Sequence, residues 1–206
     1  MNKKLIKEQI IEILELFCDP LNDFGHRTGI TGPCKLDGFQ VATDGAIACI
    51  YTGEVDLDLP TLLINGYSLA TGFDKPFAPP RTINVADLTR EGIPVNEFCE
   101  LCAGTGLHEC MCGDDHGCGN CGGDGSYDVE TSVQVRNAVY RYSYIRKIAE
   151  AAQKANQETV EWSEAAGDDH TLARIKISND FEVYLMTYLQ NAQYVLIPKD
   201  EEKTNE

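Results

Sequence analysis

Hydrophobic positions near the N-terminus recur with the period of an α-helix. One face carries only apolar side chains: Ile6, Ile10, Ile13, Leu14 and Phe17. Lysine and glutamate side chains occupy the other faces, which is typical of a helix that packs one side against a core. The residue before a proline is pushed out of the helical region, so Asp19-Pro20 is expected to end this helix.

The pattern then changes to short apolar runs separated by Asp-Gly pairs. Residues 36–43 and 46–51 form two such runs, and the pairs Asp37-Gly38 and Asp44-Gly45 stand at their turns. Asp-Gly between apolar or alternating runs is among the strongest local signals for a hairpin. This part of the sequence therefore predicts a small antiparallel meander.

The last third of the chain predicts a strand, a helix and three further strands. Residues 129–142 alternate in polarity, and Ser143 is predicted to cap a helix that runs to about Asn156. The inner face of this helix consists of Ile145, Ile148, Ala149 and Ala152. The closing strands are expected at 159–163, 172–177 and 181–189, the last two joined by Ser178-Asn179-Asp180.

Between these parts, residues 66–81 are rich in glycine and proline and predict an irregular connection. Residues 82–85 predict a strand and 85–88 a short helix. The order of elements in the first quarter resembles that in the last third, which indicates one unit used twice. The predicted fold class is α+β, with two halves at 1–94 and 129–206 and an insert at 95–128.

Composition narrows the function classes. The chain has 206 residues, a hydrophobic fraction of 43% and a formal net charge of −16, which excludes wholesale disorder and a broadly basic nucleic-acid coat. No apolar run approaches the roughly 20 residues that span a bilayer. The N-terminus becomes acidic too early for a signal peptide, so we expect a cytoplasmic protein that does not enter a membrane.

Nine cysteines are unusual in an acidic chain of this kind, and six of them lie within 23 positions. The remaining three, Cys18, Cys34 and Cys49, are scattered along the sequence. The pairs Cys99/Cys102 and Cys118/Cys121 are CxxC motifs separated by 15 residues, which is the spacing of a structural zinc site. Four thiolates from two such motifs can complete a tetrahedral shell. The sequence therefore predicts Zn²⁺ bound by these four cysteines.

Four more metal-ligating side chains lie between the two motifs: His108, Cys110, Cys112 and His116. They could form a second metal site, or they could be loop side chains or alternative ligands, and the number of zinc ions stays open between one and two. A redox CxxC motif is disfavoured, because such a motif normally opens a helix and here glycines flank it.

The insert is strongly acidic. From Glu91 to Val135 the sequence has nine aspartates and glutamates and no lysine or arginine. Zinc fingers that bind DNA need cations against phosphate, so this segment would repel DNA. A scaffold or protein-contact role is the better interpretation, and we expect a protein partner.

Each CxxC motif extends to CxxCxGxG, at 99–106 and at 118–125. This pattern resembles the cysteine-rich module of the DnaJ-type co-chaperones, in which four such repeats hold two zinc ions. Two repeats are present here, and the family's J domain and Gly/Phe-rich linker are absent. The resemblance implies one zinc unit. It also supplies an alternative function, a polypeptide-binding module associated with chaperones.

Two other stretches resemble the bacterial sliding clamp, the beta subunit of the replicative DNA polymerase. Residues 36–48 are similar to the clamp's strand–turn–strand segment that ends in Ala-Thr-Asp-Gly, although Ala46 and Ile47 replace the family's usual basic continuation. Residues 135–186 are similar to the last strand–helix–three-strand unit of a clamp domain. The resemblance implies duplicated clamp-like units interrupted by the zinc insert, a link to DNA replication, and a ring only if several copies assemble.

The basic residues concentrate on the two predicted helices. Lys3, Lys4 and Lys7 lie on the first helix, and Arg146 and Lys147 on the second. Arg136, Arg141 and Lys154 extend the second group. In a clamp-like ring these side chains would face DNA, and the alternative is that they are ordinary solvated helix faces.

No nucleophile–base constellation stands out. His26 and His170 lie in polar segments, and no phosphate-binding glycine loop is present. We therefore expect a non-catalytic zinc-binding protein with a clamp-like fold that acts as a protein-interaction or assembly factor. A metal-dependent enzyme that uses the histidines and cysteines between the CxxC motifs is a further alternative.

Overall fold

The computed structural model describes residues 5–18, 31–36, 38–61, 76–94, 96–98, 100–103, 105, 107–109, 115–118, 126–128, 131–166, 172–188 and 191–198. The chain divides into two compact units. The first unit comprises Met1–Arg90 together with Ser132–Glu206, and the second unit is the segment Glu91–Thr131. Helices and sheets both occur, which agrees with the predicted mixture of the two element types.

The helices are α1 (Lys7–Glu15) and α2 (Tyr142–Lys154). The strands are β1 (Cys34–Leu36), β2 (Phe39–Thr43), β3 (Ile47–Tyr51), β4 (Arg81–Asn84), β5 (Asn96–Phe98), β6 (Leu107–Glu109), β7 (Asp115–Gly117), β8 (Ser126–Asp128), β9 (Ser132–Val135), β10 (Ala138–Arg141), β11 (Thr159–Glu164), β12 (Leu172–Lys176), β13 (Phe181–Met186) and β14 (Tyr194–Ile197). Two 3-10 helices lie at Val85–Leu88 and Glu100–Cys102.

Seven strands of the first unit form one sheet, in the order β1-β2-β3-β13-β12-β11-β4. All neighbouring strands in this sheet are antiparallel, and Cys49 of β3 pairs with Val183 of β13 at its centre. Outward from this central pair, the strands are β3, β2 and β1 on one side and β13, β12 and β11 on the other. Each set of three follows a helix in the chain, α1 or α2, and each stands in the sheet in the reverse of its chain order. Strands β10, β9 and β14 form a second, smaller sheet.

Helix α1 confirms the N-terminal pattern except at Ile6, which is the N-cap residue and is 58% exposed. Its apolar face is buried through Ile10, Ile13 and Leu14, and Phe17 just beyond the helix is also buried. The helix contacts β2, β3 and α2. Because the charged residues lie on the other faces, this packing removes apolar surface from water without burying charge.

The predicted meander is also confirmed. Gly45 has φ +96°, in the left-handed region that favours glycine, and it lies in the turn between β2 and β3. The Asp44 carboxylate accepts hydrogen bonds from the backbone N–H of Ala46 at 3.0 Å and of Ile47 at 3.1 Å. The Asp-Gly pair thus supplies both the backbone freedom and the side-chain acceptor that close the hairpin.

The alternating segment 129–142 was predicted as one strand, and this is wrong. It contains two antiparallel strands, β9 and β10, joined by a turn at Arg136-Asn137 in which Arg136 has φ +56°. The buried Glu164 carboxylate holds this turn, because it accepts the Asn137 backbone N–H at 3.2 Å and the Asn137 side-chain amide at 2.9 Å. Since Glu164 lies 27 residues further along the chain, local polarity could not reveal the turn.

The predicted start of the second helix is also wrong. Helix α2 begins at Tyr142 with Arg141 at the N-cap position, so Ser143 lies inside the first turn. Strand β10 continues directly into the helix, which leaves no separate capping segment. The predicted inner face is confirmed, since Ile145, Ile148, Ala149 and Ala152 are all buried.

The three closing strands lie where they were predicted, and a fourth was missed. Strand β14 pairs parallel to β9, with Tyr194 opposite Val133. None of its four residues is buried, so it lacks the alternation that marks a half-buried strand. Within the described residues, no helix is long and apolar enough to cross a membrane.

Candidate metal centre

A short hairpin in the second unit brings two predicted zinc ligands together. Strand β6 pairs with β7, and Leu107 stands opposite Gly117 at the end of the ladder. Cys102 precedes β6 and Cys118 immediately follows β7, so both cysteines lie at this same end of the hairpin. The hairpin therefore brings residues that are 16 positions apart in sequence into one neighbourhood.

Cys102 and Cys118 are buried and pack against each other. Their exposed fractions are 6% and 0%, and together they form a buried cluster within the second unit. Neither is in a disulfide. A unit of about 40 residues is too small to depend on a hydrophobic core alone, and a structural metal can supply further stability.

A second ladder pairs the strand that precedes the first CxxC motif with the strand that follows the second motif. Strand β5 pairs with β8, and Phe98 stands opposite Ser126. Cys99 follows Phe98 directly, and Cys121 lies five residues before Ser126. Cys99 and Cys121 themselves lie outside the described residues. The ladder nevertheless pairs Phe98 with Ser126, so the two ends of the cysteine-bearing segment lie next to each other, as a four-cysteine site requires.

The turn after Cys102 is held by Thr105. The Thr105 N–H donates to the Cys102 carbonyl at 3.0 Å, and the Thr105 hydroxyl donates to the same oxygen at 2.7 Å. That hydroxyl also accepts the Leu107 N–H at 3.2 Å. Ala103 adopts φ +49°, which turns the chain back toward β6. These contacts form a tight turn between Cys102 and Leu107, which we call the knuckle, and it directly follows the predicted ligand Cys102.

The two described cysteines fit a zinc site in chemistry and placement. Thiolates are strong Zn²⁺ ligands, and a buried pair at the base of a hairpin supplies half of a tetrahedral shell. Within the part of the chain that the structure describes, no group of three histidine, cysteine or acidic side chains is close enough to hold a metal. The remaining half of the shell would come from Cys99 and Cys121.

The residues proposed for a second metal are partly placed. The register of the hairpin sets His108 directly opposite His116. Cys110 and Cys112 belong to the connection between the two strands and lie outside the described residues. The structure thus brings the backbone positions of the two histidines together.

The basic residues of the two helices differ in their surroundings. Lys3 and Lys4 lie outside the described residues, Lys7 is half-buried and Arg146 is exposed. The Lys147 ammonium lies 3.7 Å from the Asp44 carboxylate, and the Lys154 ammonium lies 3.6 Å from that of Glu12. These ion pairs place acidic groups beside two of the cations.

Arg136 does not belong to the basic helix surface that was predicted. Only 7% of the residue is exposed, because it occupies the turn between β9 and β10. The Arg141 guanidinium lies 4.9 Å from the centre of the Tyr188 ring, a cation–π contact. The basic groups available on α2 are therefore fewer than the sequence indicated.

The cysteines outside the motifs are not scattered in space. Cys18, Cys34 and Cys49 are all buried, and the Cys18 thiol is close enough to interact electrostatically with the other two. Burial, and secondarily the neighbouring Cys34, raises the pKa of Cys18 to about 12. Burial also raises the pKa of Cys34 and of Cys49. These thiols stay protonated near neutral pH, which makes them poor nucleophiles.

We expect the protein to lose stability at alkaline pH through these thiols. The unfolded chain releases the Cys18 proton near pH 9.0, whereas the folded chain keeps it until about pH 12. The stabilisation is therefore complete below pH 9.0 and is lost as the pH rises toward 12. Each such thiol contributes a slope of at most about 1.4 kcal/mol per pH unit in this window.

Urea unfolding at about pH 8 and about pH 11 measures this effect. Cys18→Ala should lose less stability between the two pH values than the unchanged protein does. An equal loss in both proteins would show that Cys18 does not contribute.

Comparison of the chain with protein-family models, with curated proteins and with solved structures finds no match in any of the three.

Proposed function

We propose that this chain is a non-catalytic zinc-binding protein whose insert presents a surface to a protein partner. The observation that carries the proposal is the buried contact between Cys102 and Cys118. Both cysteines lie at one end of the β6–β7 ladder, in the segment of chain between the paired strands β5 and β8. Zn²⁺ bound by Cys99, Cys102, Cys118 and Cys121 would link both CxxC motifs. Its role would be to stabilise the second unit, since four protein ligands leave no open position for chemistry.

Exposed leucines beside the metal centre support a protein-contact role. Leu101 is 60% exposed and Leu107 is 47% exposed, and their two elements contact each other. They flank the knuckle in a segment with nine acidic residues and no basic ones. Apolar side chains within an acidic surface suit a partner segment that is apolar and basic.

Elemental analysis of protein purified under reducing conditions tests the zinc proposal. We expect about one tightly bound zinc per chain, because four thiolates complete one tetrahedral site. Two zinc ions per chain would add a second site at His108, Cys110, Cys112 and His116. Protein that is folded and contains no zinc would overturn the proposal.

We further infer that the first unit is a clamp-like domain built from two related halves. The strand order around the β3–β13 pair supports this inference, because each half consists of a helix followed by three antiparallel strands. A clamp-like domain would link the protein to DNA replication as an assembly factor.

We propose that this role works through protein contacts rather than through DNA. Lys147 and Lys154 are both beside carboxylates, and the formal net charge is −16. Retention of duplex DNA in a low-salt mobility-shift assay, weakened by Arg146→Ala and Lys147→Ala, would contradict this choice.

A further inference from the structure

Polar and charged residues form a patch on one face of the seven-stranded sheet. Glu161 stands opposite Lys176, and Ser163 stands opposite Arg174, on the neighbouring strands β11 and β12. Directly opposed residues in an antiparallel pair have their side chains on the same face. These four side chains therefore share one surface, and all four line a single pocket.

The pocket has an apolar wall beside this polar patch. It has a volume of about 470 Å³, and its wall consists of Phe77, Pro79 and Pro80. The Phe77 ring packs edge-on against Tyr184, with 6.3 Å between ring centres, and the Arg174 guanidinium lies 6.0 Å from its centre. The wall is thus held in place by its neighbours. The volume is in the range of pockets that bind small molecules.

Ser163 lines this pocket beside the charged residues. Only 7% of the residue is exposed, so its side chain has a fixed place in the pocket wall. A serine hydroxyl can both donate and accept a hydrogen bond. The Ser163 hydroxyl is therefore suited to bind a polar group of a ligand.

The charged residues that line the pocket differ in their partners. The Arg174 side chain is held by Glu182, whose carboxylate accepts the Arg174 Nε–H at 2.6 Å and the Tyr184 hydroxyl at 2.7 Å. Lys176 and Glu161, by contrast, face each other across the ladder, and neither forms an ion pair among the described residues. The pocket therefore offers one cation and one anion on directly opposed residues of neighbouring strands, and the Glu161 charge also acts on Arg174.

We propose that this pocket binds a small zwitterion, an amino acid or short peptide with free ends. Its carboxylate would bind Lys176 and the Ser163 hydroxyl, and its ammonium group would bind Glu161. Its apolar side chain would lie against Phe77 and the two prolines. This site belongs to the first unit and is independent of the zinc proposal.

Isothermal titration calorimetry with the dipeptide alanyl-phenylalanine tests this site. We expect one binding site per chain with a Kd of about 1 mM or tighter. Lys176→Met and Glu161→Gln should each weaken binding about tenfold, because each removes one charge-assisted contact. Ser163→Ala should weaken it less. Lys154→Met is the matched control, because this lysine lies on α2 outside the pocket, and it should bind as the unchanged protein does.

The same dipeptide with an acetylated N-terminus and an amidated C-terminus separates charge recognition from apolar contact. We expect it to bind at least about tenfold more weakly. Equal binding of the free and blocked dipeptides would overturn the proposal. So would the absence of binding at millimolar concentration to protein with a native circular dichroism spectrum. Neither result depends on the zinc content, which is measured separately.

Discussion

Replacing Cys118 by serine is expected to abolish tight zinc binding and to unfold the segment Glu91–Thr131. Cys118 is fully buried and contacts Cys102. A solvent-exposed side chain elsewhere in the segment therefore cannot take its place as a zinc ligand. A structural zinc contributes on the order of 10 kcal/mol to the folding of a small metal-binding unit. Loss of one of its four ligands should remove most of this contribution. Elemental analysis and limited proteolysis measure the zinc content and the folding of the segment.

The first unit should stay folded in this variant, because it has its own buried core. Cys34→Ala is the matched control, since it removes a buried thiol of the first unit and should leave the zinc content unchanged. A Cys118→Ser protein that keeps one zinc per chain with unchanged affinity would show that Cys118 is not a ligand. Restoration of the wild-type protease resistance by added zinc would lead to the same conclusion.

Trp162→Ala should be the most destabilising single substitution in the first unit. Trp162 is fully buried on β11, and its ring meets the buried Tyr140 ring edge-on, with 5.4 Å between the ring centres. Truncation of a buried aromatic residue to alanine costs about 3–5 kcal/mol, because it loses apolar burial and leaves a cavity. The total free energy of unfolding of a domain is about 5–15 kcal/mol, so the variant should be near its threshold of stability.

Urea unfolding followed by circular dichroism is the appropriate measurement, because Trp162 is the single tryptophan of the chain. Met186→Ala is the matched control, since Met186 on β13 is 53% exposed and its truncation should cost less than about 0.5 kcal/mol. A loss below about 1 kcal/mol for Trp162→Ala would contradict the packing described for this core.

Local patterns in the sequence predicted the features that depend on nearby residues. The apolar face of α1 follows from the helical period, and the turn at Asp44-Gly45 follows from the needs of a hairpin. The inner face of α2 was predicted for the same reason, and so were the three strands that follow it. The spacing of the two CxxC motifs predicts Cys102 and Cys118 as zinc ligands without any information on their contact.

Other features depend on residues that are distant in sequence. The turn at Arg136 needs Glu164, and β14 is a strand because it pairs with β9. The electrostatic interaction of Cys18 with Cys34 and Cys49 arises where α1 packs on the meander. The pocket around Ser163 needs the register between β11 and β12. None of these arrangements has a periodic or local signal.

The sequence by itself determined which segments are helices and most of the strands, where the acidic cysteine-rich insert lies, and which residues suit a zinc ion. Helical and strand periods and CxxC spacing are local properties, so they can be recognised along the chain. Only the tertiary structure decided how the strands are ordered, which cations are beside carboxylates and which side chains line one pocket. These properties depend on strand register and on packing between distant segments, because contact in space does not follow from separation in sequence.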